Sequence, residues 1–524
     1  MAEPTPKPFY LTTPIYYVNA RPHIGHVYTS TIADVVARYH RLLGQEVFFL
    51  TGTDEHGKKV ADAAREHGVS PQDYVDGIAG EFQAAFAEMG LTHDDFIRTT
   101  QPRHQQRAAA AIQQLVDQGD VYLGEYEGWY DQGQEEYVTE NNAREADYQS
   151  VISGKPLVKV KESSYFFRLS RFQGALLEHI EANPGFIQPE ARRNEVVSRV
   201  KAGLNDIAIS RSTEPWGIPM PGDPSHSVYV WIDALLNYVT APDANDRPEL
   251  WPADVHLVGK EILWFHAVIW PAMLMALGRP LFHKVHAHSF WVAEGRKMSK
   301  SLGNFVDLDA LRGYVDRFGL DAVRWYLATQ GPMGATDADF ADAKFIEVYN
   351  SELANTLGNC VSRVAKMTSK YFDGAAPAPF ADPQSEPDRI PAQIESCFEK
   401  YQAAMSELDL AGAAKHAMGV VEAVDGFIER TQPFKLAKDD NLRGRLSGIL
   451  YDCAEALRIA SVLLWPFLPT ACEEVWRRLG CDYARDMAAA GGAGRLAEWA
   501  QWGGLQPGQP VQSGDALFQR YRPD

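Results

Sequence analysis

TTPIYYVNARPHIGH, residues 12–26, decides how the rest of the chain is read. It reads as the end of a strand, a polar turn and the start of a helix. Phe9, Leu11 and Ile15 form an apolar, β-prone run closed by Pro14, and Asn19, Ala20, Arg21 and Pro22 break it. From Val27 the period becomes helical: Ile32, Val35, Val36, Tyr39 and Leu43 fall on one face, and Gly44 ends the run. His23 and His26 share a face of the first turn, with Gly25 between them, where a missing side chain lets a ligand come close. The start of a helix offers N–H groups and a positive dipole end, which suit phosphate. Alone, the stretch also fits ordinary helix-start residues.

A second stretch changes the weight of the first. Residues 297–301 read Lys-Met-Ser-Lys-Ser, followed by Leu302, Gly303 and Asn304, in a polar turn after the apolar run His288 to Val292. In isolation this is a solvated basic loop. In this order and this far apart, HIGH at 23–26 and KMSKS at 297–301 resemble a class I aminoacyl-tRNA synthetase. The surrounding text narrows the resemblance to the methionyl family: TGTDEHGKK from Thr51, VYVWIDALLNYV from Val228, VGKEILWFHAVIWPAML from Val258 and EGRKMSKSLGN from Glu294. It runs from Phe9 to the last helices.

Composition sets bounds. At 524 residues the chain exceeds one ordinary core. An apolar share of 45% and a charged share of 23% are those of a soluble globular protein. No apolar run is long enough for a bilayer, and MAEPTPKPFY lacks the pattern of a signal peptide, so a cytoplasmic protein with no membrane partner is expected. The five cysteines all lie from Cys360 onward and form no Cys-x-x-Cys pair, which argues against disulfides and a zinc knuckle. A formal charge of −19 argues by itself against a nucleic-acid binder, unless the basic residues gather on one face.

The expected fold is α/β: a Rossmann-like parallel-sheet catalytic domain split by a connective-peptide insert and followed by an α-helical anticodon-binding bundle. The boundaries are 1–117 for the first catalytic half, 118–222 for the insert, 223–292 for the second half, 293–345 for the KMSKS-bearing linker and 346–524 for the bundle with its tail. The pattern predicts strands at Glu46–Thr51 and Val255–Val258. It predicts helices at Pro71–Met89, Pro102–Asp117, Ser164–Ile180 and Arg312–Tyr326, and a run of five beyond Phe340. Residues 488–494 read as a mobile, low-complexity segment.

Asp54, in a glycine-flanked loop after a strand, is a candidate anionic contact, and equally a cap for a helix from Lys58. Trp231, Ala234, Leu235 and Tyr238 recur at i, i+3, i+4, i+7, the spacing of a core-facing stripe. The resemblance implies more. It places Asp54 against the amino group of methionine, and Ile15, Tyr17, Trp231, Ala234, Leu235, Tyr238, Ile262, His266 and Trp270 around its side chain. Aromatic walls suit a polarizable thioether, and a hydrogen bond toward sulfur from Tyr17 or His266 would sharpen the choice. Pocket shape separates similar apolar side chains by only ~1–3 kcal/mol, so homocysteine is an expected competitor.

The family's ATP site maps onto His23, Gly25, His26, Gly259, Glu261, Lys297 and Lys300, with His23, His26, Lys297 and Lys300 as catalytic residues. Glu261 would take the ribose, and Mg2+ accompanies ATP as the substrate complex. Anticodon reading maps onto Asn359, Arg363 and Phe434, which stands where the family usually has tryptophan. No structural zinc is expected, because Gly128 to Gly133 stands where many relatives carry a cysteine pair. The implied activity is ligation of methionine to tRNA(Met) by a monomer. Rivals are a leucine or cysteine enzyme of the same superfamily, a small-molecule adenylyltransferase with an HxGH turn, and a catalytically dead RNA-binding relative.

Overall fold

A computed structural model describes residues 7–131, 136–138, 140–151, 154–212, 216–293, 296–298 and 305–522. Its centre is a six-stranded, wholly parallel sheet in the order Asp95–Arg98, Val47–Asp54, Phe9–Tyr17, Val255–Gly259, Lys284–His288 and Ile187–Gln188. The first strand lies mid-sheet, with an early strand on one side and a late one on the other. Chain order therefore reverses beside it, and open α/β sheets place their crevice at that reversal, outside the carboxyl ends.

Successive residues of the central strands face opposite cores, as a sheet buried on both sides requires. Leu11, Phe49 and Leu257 belong to a core shared with helix Ile24–Leu42 and the helical half. Tyr10, Phe48, Leu50 and Val258 belong to a second core with helices Pro102–Asp117 and Val230–Ala244. The first strand does not stop at Pro14. A register shift between Thr12 and Ile15 absorbs the proline, and pairing with Val47–Asp54 resumes as far as Tyr17 opposite Asp54.

Strands Val121–Asp131, Glu136–Val138, Val158–Phe167 and Ile207–Ala208 form an antiparallel sheet within the sequence interval predicted as the insert. The predicted helix Ser164–Ile180 is corrected here. Ser164 to Phe167 complete a strand that pairs with Val121–Asp131 over ten residues. A 3-10 turn Leu169–Phe172 follows, and the helix starts only at Gln173. Ladder pairing outweighed the apolar spacing of Phe166 and Phe167. Near the missing cysteine pair, Trp129 donates to Glu140 at 2.8 Å, Tyr148 donates to the same carboxylate at 3.1 Å, and the two rings lie 4.6 Å apart. No group of His, Cys, Asp or Glu placed to hold a metal exists among the described residues.

The predicted helix Arg312–Tyr326 is two helices, Leu308–Phe318 and Leu320–Gln330, broken at Gly319 with φ +86°. Beyond Phe340 the chain is helical, with Pro391–Ser406, Leu410–Thr431, Arg443–Leu464 and Pro469–Arg478 as its main rods. The segment read as mobile is tied down: Gly494 N–H donates to the Arg41 carbonyl at 2.7 Å, and a Cβ there would come within 2.8 Å of Leu42. The tail returns to Phe318 and Asn350: Tyr521 packs on Phe318, and Asn350 bonds both backbone groups of Tyr521. All five cysteines are free thiols. No helix among the described residues is long and apolar enough to cross a membrane.

Candidate active site

The crevice at the sheet reversal opens into a cavity of about 390 Å³. His23 is the cap of helix Ile24–Leu42. Its Nδ1 accepts from Gly25 N–H at 3.1 Å, while its own N–H donates to His26 Nδ1 at 3.3 Å. The rings stack with centroids 3.8 Å apart. Burial, and next the neighbouring His23, push the His26 imidazole well below its ordinary value, so it is neutral. With both Nδ1 atoms accepting from backbone, Nε2 carries the proton in each ring. Two imidazole N–H donors and a helix start thus border one cavity. A Cβ on Gly25 would sit 3.0 Å from the His23 ring, so glycine is what lets this cap form.

The backbone just beyond the KMSKS stretch is paired with this turn. Ile24 N–H donates to the Val306 carbonyl at 3.2 Å, His23 bridges Asp307, and Phe305 stands edge-on to His23 at 5.2 Å. Lys297 is described by backbone alone, in the short strand Arg296–Lys297, and Ser299, Lys300 and Ser301 lie outside the described residues.

One wall is apolar. Helix Val230–Ala244 presents Trp231, Ala234, Leu235 and Tyr238 to the cavity, facing Ile15 and Tyr17 from the first strand, with Ile262 and His266 closing the end. Trp231 stacks on Phe265 at 4.1 Å. Trp270 does not line the cavity. It is fully buried behind Tyr238, at a ring distance of 6.0 Å.

His266 also departs from expectation. Its Nδ1 donates to the Ile262 carbonyl at 2.9 Å, and burial drives the ring down to about 4, so Nε2 is unprotonated. Nε2 accepts from the Tyr238 hydroxyl at 2.7 Å. His266 therefore has no N–H left to offer a sulfur.

Asp54 lines the cavity and is not a helix cap; helix Lys58–Glu66 is capped by Gly57 at φ 104° with no side-chain bond. Gly259 and Glu261 lie at the carboxyl end of Val255–Gly259, and a Cβ on Gly259 would sit 2.4 Å from the Glu261 carboxylate. That glycine lets Glu261 fold back over its own strand end.

A further wall, made by Tyr28, Thr29, His288, Ser289, Phe290 and Trp291, was not foreseen. His288 ends strand Lys284–His288, the position where parallel sheets hold ligands, whereas the sequence pattern has it opening an apolar run. Asn359 is exposed at the start of helix Asn359–Phe372, Arg363 faces Asp425 at 3.6 Å, and Phe434 is 44% exposed.

A doubly wound sheet with a histidine-capped helix at its reversal, ahead of a helical half, is the plan of the class I tRNA synthetases, and the family model described as tRNA synthetases class I (M) matches residues 9–146 and 144–365. Methionine–tRNA ligase of Caldanaerobacter subterraneus subsp. tengcongensis is 45% identical over 98% of this chain and 79% of its own length. The ligase of Streptomyces coelicolor is 44% identical over 98% and 97%. The structure of Mycobacterium tuberculosis methionyl-tRNA synthetase in complex with methionyl-adenylate is similar with a TM-score of 0.88, at 36% identity over 98% of this chain and 99% of that one. The chain belongs to the methionyl-tRNA synthetases.

Proposed function

We propose that this protein joins methionine to tRNA(Met) in two steps, with ATP as the energy source. The observation that carries this reading is the cavity itself. A pair of histidines with Nε2 protons borders one side, a wall of Trp231, Ala234, Leu235 and Tyr238 borders another, and Asp54 and Glu261 supply the anionic groups.

In the first step the methionine carboxylate attacks the α-phosphate of ATP, the P–O bond to the β-phosphate breaks, and pyrophosphate leaves. Such a reaction asks the protein for position and charge stabilisation. His23 and His26 donate to phosphate oxygens, aided by the helix start. Lys297 and Lys300 supply ammonium groups to the departing β- and γ-phosphates. Mg2+ enters with ATP, held by phosphates and water. Asp54 takes the ammonium group, and Glu261, folded over Gly259, takes the ribose hydroxyls.

Ile15, Tyr17, Trp231, Ala234, Leu235, Tyr238 and Ile262 enclose the side chain, with His266 orienting Tyr238. In the second step a ribose hydroxyl of the terminal adenosine attacks the adenylate carbonyl and AMP leaves. Asn359, Arg363 and Phe434 read the anticodon. The protein acts in the cytoplasm, a compartment that suits its free thiols.

ATP–pyrophosphate exchange without tRNA tests the reading. Methionine should support the fastest exchange among methionine, leucine, isoleucine, valine, cysteine and homocysteine, and Lys300→Ala should abolish it. Faster exchange with another amino acid would remove the pocket assignment and leave the fold standing.

A further inference from the structure

Two elements that wall the cavity are joined behind it by one carboxylate. Asp233 lies on helix Val230–Ala244, between Trp231 and Ala234, but turns away from the cavity and is 1% exposed. One of its oxygens takes His56 Nδ1 at 2.6 Å and the other takes His104 Nε2 at 2.7 Å. His104, fully buried in the first turn of helix Pro102–Asp117, meets the Thr240 hydroxyl through Nδ1 at 2.7 Å. Three chain segments therefore converge on one buried side chain that lines no part of the cavity.

His56 stands two residues after Asp54. The residue between them, Glu55, is equally fixed. Its carboxylate takes Arg98 at 2.6 Å and the hydroxyls of Thr53 and Thr100, and its N–H donates to Thr99 Oγ1 at 2.9 Å. On the far side, Trp216 donates to the Glu55 carbonyl at 2.6 Å and accepts from Gly57 N–H at 2.9 Å. The loop after Asp54 is thus clamped to the sheet by Glu55 and to the helix by His56.

We propose that Asp233 is a positioning residue for methionine: by bridging His56 and His104 it sets the distance between Asp54 and the wall formed by Trp231, Ala234 and Leu235. This rests on the reading that Asp54 takes the amino group. The chemistry calls for a carboxylate, because two N–H donors on separate oxygens need two acceptors, and an asparagine offers one acceptor and one donor. Asparagine is still compatible with folding. Thr240 can donate or accept, so the His104 ring can exchange its donor and acceptor nitrogens and accept from the new amide. What asparagine changes is the seat of His56, and with it the loop that holds Asp54.

The test is exchange kinetics of Asp233→Asn, with 4-(methylsulfanyl)butanoate, which is methionine without its amino group, as a competitive inhibitor. Methionine KM is expected to rise about tenfold or more, while ATP KM and the inhibitor constant of the desamino compound stay within about twofold of wild type. An unchanged methionine KM, or an inhibitor constant that rises in step with it, would overturn the proposal. Asp54→Asn separates the two ideas. If it too loses methionine selectively, the amino-group reading stands, and an insensitive Asp233→Asn then rejects the positioning role alone. If Asp54→Asn weakens both compounds equally, the amino-group reading itself fails. His104→Gln, whose amide still donates to Asp233, should keep methionine KM within about threefold, whereas His104→Leu should raise it as Asp233→Asn does.

Discussion

Arg324 and Asp34 meet at 2.7 Å with neither side chain more than 1% exposed. Asp34 lies on the helix that begins beside His23, and Arg324 lies on Leu320–Gln330; the same guanidinium donates to the Pro466 carbonyl at 3.1 Å. Arg38 shares the carboxylate at 2.7 Å and covers Trp465, and Thr92 donates to it twice. Helix Ile24–Leu42, helix Leu320–Gln330 and the turn at Trp465 and Pro466 are joined at one ion pair.

Removing one partner of a buried pair leaves an uncompensated charge, at a cost of ~3–5 kcal/mol. Asp34→Asn, which leaves the Arg324 guanidinium buried without its counter-charge, should therefore lower the first thermal transition markedly, and Asp34→Asn combined with Arg324→Met should be more stable than Asp34→Asn alone. Simple additivity of the two substitutions would count against this account. The pH dependence has a definite sign. Burial raises the Asp34 carboxyl, but Arg38, Arg324 and the Thr92 bonds outweigh it and hold the group well below the usual range. Its stabilisation is present above the unfolded value of about 3.9 and is lost as pH falls through the lower folded value. Acid unfolding monitored by circular dichroism should begin at a higher pH in Arg324→Met.

The stacked histidines predict both a rate and a pH effect. If each ring donates through Nε2 to the developing phosphate charge, His23→Asn and His26→Asn should each lower kcat for exchange by ~10²–10³-fold. His26 is held below its ordinary value by burial first and by His23 second. A histidine shifted this way withholds stability as pH falls from about 6.5 toward the folded value, because the unfolded chain takes the proton first. The acid limb of kcat should lie below pH 6.5 in the wild type and move upward in His23→Asn, where the neighbouring ring is gone. A limb that stays in place would show that His26 is not the group being titrated.

Selectivity for sulfur should be modest. The His266 Nδ1 proton is spent on the Ile262 carbonyl and its Nε2 accepts from Tyr238, so the sulfur gains contact with rings and no imidazole donor. Sulfur–aromatic contacts are worth ~0.3–1.5 kcal/mol each. Norleucine, which replaces sulfur by a methylene, should be activated with kcat/KM within about a hundredfold of methionine. Tyr238→Phe, which leaves His266 Nε2 without its donor, should raise methionine KM by roughly 5- to 150-fold, the range of one unsatisfied buried polar group. Discrimination against norleucine by several thousandfold would require a donor to sulfur other than His266.

The apolar stripe of Val230–Ala244 was legible because an α-helix keeps its period, so Trp231, Ala234, Leu235 and Tyr238 had to share a face. Trp270 lies behind the cavity lining, where that period fails. Phe265–Ile269 is a π-helical turn in which Trp270 N–H reaches the Phe265 carbonyl, and four-residue spacing no longer fixes a common face. The strand ending at Phe167 was hidden because Phe166 and Phe167 also suit a helix face, and only pairing with a strand some forty residues earlier decides between them. The wall of Tyr28, His288 and Trp291 was not legible. Thr29 meets His288 at 2.7 Å across 259 residues, a contact made by sheet order that local spacing does not encode. The network around Asp233 was unread for the same reason, although His56 and Asp233 both sit in stretches quoted for the family resemblance.

The helical half carries the last prediction. Arg363 is held by Asp425 at 3.6 Å, with both side chains about a third exposed, and helix Leu410–Thr431, which bears Asp425, runs directly into Pro433 and Phe434. An exposed pair of this kind is worth ~0–1 kcal/mol, so a nucleotide phosphate or base edge can take Arg363 from Asp425 at small cost. Asp425→Asn should release Arg363 and lower the KM for tRNA by up to about fivefold. Arg363→Ala should raise it, and Phe434→Ala should raise it by ~1–3 kcal/mol of lost base stacking. Phe434→Trp keeps the stack and should leave KM near the wild-type value. None of these substitutions should alter ATP–pyrophosphate exchange measured without tRNA, because none touches the cavity at the sheet reversal. If Phe434→Ala depressed exchange and aminoacylation alike, its effect would lie in the stability of the bundle and the anticodon assignment would fall.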